Sequence, residues 1–291
     1  MKKKGYILLN VVALSLASCE RMKFFPDKPI AVERSLLIAH RGGGDYDEGN
    51  GLASCMYGLQ VADGIECDIQ RSNDNNIWLS HSPYVTACGS VGSTCFASLS
   101  SSTIIQIDSC LGHGKDYTQL EEVFQLMSAN FPDKYISLDV KAWTPCKLSN
   151  AILTKEMNLL AQKIIDLTVK YGLEYRVMVE SETGDFLYYM KKHTGFVETY
   201  LATLGDFEMG ASRAIDAGFT GISFKYKFKE AITKEHVDLL HRKGLKIQVW
   251  TVNDTNDIKE AQQLKVDFIQ TDNVAFVLNA RNLKEKEPST H

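Results

Sequence analysis

The chain has 291 residues, 44% of them hydrophobic and 23% charged, with a formal net charge of −4. That is enough apolar material for a full core, in one large domain or two small ones. The mild acidity and the lack of any sustained basic stripe argue against a nucleic-acid partner.

The first residues read as an export signal. Lys2, Lys3 and Lys4 form a basic start, Ile7 to Leu16 a short, mostly apolar run, and Leu16-Ala17-Ser18-Cys19 follows. The run is too short to span a bilayer comfortably. The ending resembles a bacterial lipobox, which implies lipidation of Cys19, anchorage to a membrane, and a place in the periplasm or at the cell surface. A plain signal peptide or an uncleaved anchor stays open. Residues 20–34 read as a tether. Seven cysteines are present. Export permits disulfides among those other than Cys19. Cys88 with Cys95 is the expected pair, Cys110 with Cys146 a weaker one. Cys67 lies between Glu66 and Asp68, so on a strand it faces away from them and is expected to be a buried thiol.

Strand-like runs then recur at 36–40, 64–69, 135–141, 175–180, 198–203, 221–225, 246–252 and 267–271. Helical patterns lie between most of them, at 120–130, 153–171, 207–217 and 233–243. Eight strands alternating with helices predict a (β/α)8 barrel, a TIM barrel, over residues 35–280. A doubly wound open sheet competes, but no G-x-G-x-x-G supports it. After the second strand, the polar turn Asn73–Asn76 leads straight into Ile77–Leu79. The gap is too short for a parallel crossover, so this is a hairpin above the barrel rim. With Asp74 and Asn75 at its tip, His81 would stand opposite Asp68, with Cβ atoms about 5 Å apart. Residues 83–115 interrupt the alternation and are rich in Ser, Gly, Thr and Cys, with one apolar patch at Ile104–Ile107. This segment is either a lid or binding loop, or a tolerated insertion. Residues 281–291 form a charged tail.

Active sites of such barrels are built at the C-terminal ends of the strands. Chemistry-bearing residues gather there: His40 and Arg41, Glu66 and Asp68, Asp139 and Lys141, Glu180 and Glu182, Trp250 with Thr251 and Asn253, Thr271 and Asp272. Glu66 and Asp68 share one strand face, as do Asp139 and Lys141. Two histidines beside convergent carboxylates suit metal-assisted acid–base chemistry. Glu180 could equally pair with a basic residue, and Trp250 could be core or pocket wall. The other five histidines read as surface residues.

His-Arg-Gly, then Glu-x-Asp, then a hairpin returning to His81, resembles the glycerophosphodiester phosphodiesterase family. The later Leu-Asp-Val-Lys, Trp-Thr-Val-Asn and Thr-Asp stretches extend the resemblance over residues 36–277. The resemblance implies a barrel hydrolase that releases glycerol 3-phosphate and an alcohol. Glu66, Asp68 and Asp139 would hold a divalent cation, His40 and His81 would exchange protons, and Arg41 and Lys141 would bind phosphate. Asn50 and Trp250 would contact substrate. The all-oxygen ligand set favours Ca²⁺ or Mg²⁺ over zinc. The sequence departs from the family where Pro-Glu-Asn-Thr is replaced by Asp47-Glu48-Gly49-Asn50-Gly51, where His-Asp is His81-Ser82, and where the third acid is Asp139. Two alternatives stay open: a phosphodiesterase of intact phospholipid headgroups, hinted at by the Ile104–Ile107 patch, and a surface lipoprotein that binds its ligand without turnover. Protein partners are not legible.

Overall fold

The computed structural model describes residues 30–44, 49–86, 93–111, 117–140, 150–277 and 279. Eight parallel strands close on themselves: β1 (Leu36–Ala39), β2 (Gly64–Arg71), β6 (Tyr135–Val140), β7 (Val177–Ser181), β8 (Glu198–Thr203), β9 (Gly221–Lys225), β10 (Lys246–Trp250) and β11 (Phe268–Thr271). Closure is made where β1 pairs with β11 on one side and β2 on the other. The predicted (β/α)8 barrel is therefore the fold, and the open sheet is excluded. Helices run between the staves: α1 (Leu52–Val61), α3 (Leu120–Asn130), α4 (Asn150–Lys170), α5 (Gly184–His193), α6 (Phe207–Ala217), α7 (Lys234–Arg242) and α8 (Thr255–Leu264). Their apolar faces and the outward side chains of the strands form one continuous core. Among the described residues no helix is long and apolar enough to cross a membrane.

The predicted helices at 120–130 and 207–217 match α3 and α6. The sequence reading did not single out α1, α5 and α8. α8 owes its start to Asp254, whose carboxylate accepts from the Asn256 and Asp257 amides at 2.8 and 3.2 Å.

Inside the barrel the side chains form levels. At the N-terminal end lie Ile38, Met178, Tyr200 and Phe268. Above them is a polar level. Glu180 accepts from Ser137 Oγ at 3.1 Å, from Gln270 Nε2 at 2.6 Å and from Ser223 Oγ. Gln248 Nε2 in turn reaches Ser137 Oγ and Ser223 Oγ at 3.4 and 3.3 Å. Among the described residues, Glu180 is thus held by neutral donors and not by the basic partner that its position allowed.

The hairpin exists, with β3 (Ile77–Leu79) antiparallel to β2, but its register differs by one from the predicted one. Gln70 pairs with Trp78, and Ser80 N donates to Asp68 O at 3.0 Å. The cause is the turn. Ser72 N bonds Asn76 O at 2.9 Å, leaving three residues at the tip, with Asn75 left-handed at φ 66°. A one-residue slip puts Ser80 opposite Asp68 in place of His81.

The described residues of the interruption after this hairpin pack as a small subdomain. It comprises β4 (Tyr84–Thr86) paired with β5 (Ser93–Cys95), then α2 (Ser101–Leu111). Trp78, Val85, Phe96, Ile104 and Ile107 make its own small core. The hairpin tip is tied to it: Asn73 N donates to Leu99 O at 2.8 Å and Ser101 N to Asp74 at 3.0 Å. The Ile104–Ile107 patch is thus mostly interior; of its isoleucines only Ile105 is exposed. Cys95 is disulfide-bonded. Cys19, Cys88, Cys146 and the Cys110 side chain fall outside the described residues. Cys67 is buried, as expected, with its Sγ 3.6 Å from that of Cys55. His241, expected at the surface, is buried and bonds Asp267 at 2.9 Å.

Helix α1 presses on the turn after β1 through Gly58. A Cβ built there would lie 2.1 Å from Gly42 O and 2.9 Å from Ala39 Cβ. In an ordinary helix, Gly→Ala gains about 1 kcal/mol. Here the collision is with backbone that cannot swing aside. Gly58→Ala is expected to lose roughly 2 kcal/mol net, lowering the melting temperature by about 4–8 °C. Thermal denaturation followed by circular dichroism measures this.

Candidate active site

The site lies at the C-terminal ends of the strands. β1 ends at Ala39, and His40, Arg41 and Gly42 form a tight turn with Arg41 at φ 54° and Gly42 at φ 76°. A Cβ on Gly42 would lie 2.8 Å from Cys55 N. The turn folds the chain back over β2, so that Arg41 N donates to Glu66 Oε2 at 2.9 Å.

Glu66 and Asp68 project inward from β2, and Asp68 is the register partner of Asp139 on β6. One ligand oxygen from each of these three acids lies within 4.8 Å of the others. Glu66 and Asp68 are only 1% and 2% exposed. Burial pushes the Glu66 carboxyl well above the usual carboxylate range, and the neighbouring Asp68, Glu180 and Asp139 push it further. Such a buried cluster of oxygens is the environment that a hard divalent cation relieves. The residues present therefore fit a cation.

His40 sits beside this cluster, with Nε2 3.7 Å from Glu66 Oε2. Its Nδ1 bonds Asp272 Oδ1 at 2.7 Å. Asp272 is fixed by Asn253, whose Nδ2 donates to it at 2.7 Å and whose Oδ1 accepts from its backbone N at 2.8 Å. Burial alone would raise the Asp272 carboxyl, but the bonds from His40 and Asn253 and the charge of Arg41 hold it below the ordinary range. An ionised Asp272 accepting Nδ1–H leaves Nε2 as the imidazole atom that faces the acids. The sequence placed Asp272 at a strand end without a role. Its signal was the Trp-Thr-Val-Asn and Thr-Asp pair, whose Asn253 and Asp272 meet here.

Asn50 was expected to contact substrate. Its amide clamps Asp68: Nδ2 donates to Oδ2 at 2.9 Å, and Oδ1 accepts from Asp68 N at 3.0 Å. Arg41 Nε lies 3.3 Å from Asp68 Oδ2 without hydrogen-bond alignment, so this buried N–H has no hydrogen-bond partner among the described residues. The Nε1–H of Trp250 is in the same condition. Both are donors near the C-terminal ends of strands. His81 stands in a bend past the end of β3 and is exposed. Strand alternation no longer fixes its direction there. Lys141 lies outside the described residues.

Residues 40–276 match the glycerophosphoryl diester phosphodiesterase family. The chain belongs to that family. It is an enzyme, a phosphoric diester hydrolase. The chain is also 23% identical over 253 residues to a glycerophosphodiester phosphodiesterase of Caldanaerobacter subterraneus subsp. tengcongensis, covering 84% of this chain and 97% of that one. Among solved structures it is similar to an Oleispira antarctica phosphodiesterase in complex with the product sn-glycerol-3-phosphate. That similarity has a TM-score of 0.69 and 17% identity, over 86% of this chain and 97% of that one. A glycerophosphodiester phosphodiesterase from Parabacteroides distasonis gives a TM-score of 0.65 and 20% identity, over 87% and 100%. At these identities the structural likeness shows the fold. The family match is what excludes a binding protein without turnover.

Proposed function

We propose that the enzyme hydrolyses glycerophosphodiesters to glycerol 3-phosphate and an alcohol, with Glu66, Asp68 and Asp139 holding a divalent cation, Ca²⁺ or Mg²⁺. The observation that carries this is the convergence of three carboxylates, within 4.8 Å, beside His40 Nε2. The cation would neutralise phosphoryl charge and polarise the bond to be broken. The chain's own groups do the rest. Arg41 offers a planar donor fork to the phosphoryl oxygens, and Lys141 and the Trp250 indole N–H add further donors. Asp272 orients His40 so that Nε2 exchanges a proton with the attacking or the leaving oxygen. His81 handles the complementary transfer from the hairpin side. The burial of Ile104 and Ile107 removes the hint of a surface for intact phospholipid, which favours the water-soluble diesters.

The test is release of glycerol 3-phosphate from glycerophosphocholine, glycerophosphoethanolamine and intact phospholipid, after chelation and restoration of each cation. Activity on the soluble diesters restored by Ca²⁺ or Mg²⁺ is expected. Full activity after chelation, or restoration by zinc alone, rejects the ligand set.

For location, we propose that Cys19 carries a lipid that anchors the exported enzyme to a membrane. The lipobox-like Leu16–Cys19 supports this. Labelling of cells with a fatty-acid probe should mark the protein, and Cys19→Ala should abolish the mark.

A further inference from the structure

Ser223 and Gln248 reach into the barrel, where they join the polar level around Glu180. Lys225 and Trp250 follow two residues later on the same strands and are register partners. The period of two puts them on the same inward face, one level nearer the C-terminal mouth. They therefore belong to the wall of the mouth. From the last residue of β9 the chain reads Lys225-Tyr226-Lys227-Phe228-Lys229. Lys227 is turned to Asp257 and Glu260, at 2.7 Å from each. Lys225 is held by rings instead: its Nζ lies 4.3 Å from the centroid of Phe228 and 5.5 Å from that of Trp250. Lys229 approaches the same Phe228 ring at 5.8 Å.

Two aromatic faces converging on one cation make the kind of cage that receives a ligand's ammonium group. Here the chain's own ammonium occupies it. An incoming ammonium would have to displace Lys225 or sit beside a like charge. A hydroxyl-rich or anionic group would instead meet three ammonium hydrogens as donors.

We propose that Lys225 selects the alcohol portion of the substrate by charge, accepting neutral or anionic alcohols and disfavouring those that carry an ammonium group. The inference rests on the hydrolysis proposed above and deepens it.

The experiment compares kcat/KM for glycerophosphoglycerol and glycerophosphocholine in the wild type, Lys225→Met and Lys225→Arg. The wild type is expected to prefer the glycerol diester by about tenfold, and Lys225→Met to remove that preference by raising turnover of the choline diester. Lys225→Arg, which keeps the charge, should retain the preference. An unchanged ratio in Lys225→Met overturns the proposal. So does an equal loss on both substrates, which would make Lys225 a ligand of the phosphoryl group. If Lys225→Arg behaves like Lys225→Met, shape and not charge decides, and the proposal falls. If the wild type turns over neither diester, the proposed hydrolysis itself fails, and the selectivity with it.

Discussion

Replacing His40 with alanine is expected to lower kcat about 10²- to 10⁴-fold, the usual worth of a positioned proton-transfer group. His40 is tethered at Nδ1 by Asp272 at 2.7 Å, and Nε2 faces Glu66 at 3.7 Å. The imidazole is largely buried, its side chain 15% exposed, but its named contacts are the polar ones to Asp272 and Glu66 at the barrel mouth. Folding should therefore survive, and circular dichroism would verify that. Substrate KM should change much less than kcat, because Arg41 and the carboxylates remain. A variant within tenfold of wild type would remove His40 from proton transfer. The same measurement on His81→Ala tests the second histidine. A loss of similar size is expected despite its exposed position in the bend.

The second large effect is expected from Asp68→Asn. The substitution nearly preserves shape but removes one of the three carboxyl groups in the cluster. It also disturbs the reciprocal pair with Asn50, since one Asp68 oxygen that accepted a hydrogen bond can become an NH₂. The apparent affinity for the activating cation should fall by about 100-fold or more, since perturbing even outer partners of a metal site costs 10- to 100-fold. Calorimetric titration of the chelated protein with Ca²⁺ and Mg²⁺ reads this directly, apart from turnover. Unchanged cation affinity would mean that Asp68 is scaffold. Asn50→Ala should show a smaller loss, because it frees the Asp68 carboxylate without removing its charge.

Most of this site was legible because barrel strands announce themselves. Glu66 and Asp68 stand two apart on a run buried on both faces, and period-two alternation places them together without any tertiary knowledge. The eight staves were readable for the same reason. The hairpin register was not, because it depends on whether the tip holds two residues or three, and Asn73-Asp74-Asn75-Asn76 permits either. Asn75 in the left-handed region decides for three. Asp272 was visible as a strand-end acid. Its bond to His40 spans 232 positions of the chain, and no local pattern encodes such a contact. The packing of the insertion's described residues was hidden for another reason. Its core borrows Trp78 from the hairpin, so neither segment alone has enough apolar surface to predict it.

The polar level inside the barrel bears on how the sheet shuts. Ser137, Glu180, Ser223, Gln248 and Gln270 come from five different staves, and one carboxylate sits among them. Once the barrel closes, that carboxylate is cut off from water, so every one of its donors must be in place. Each missing partner would cost about 1–3 kcal/mol. The last strands to dock are thus rewarded together and not one by one. The network thus works as a latch: a closed barrel that lacks one of these partners carries a buried carboxylate short of a donor.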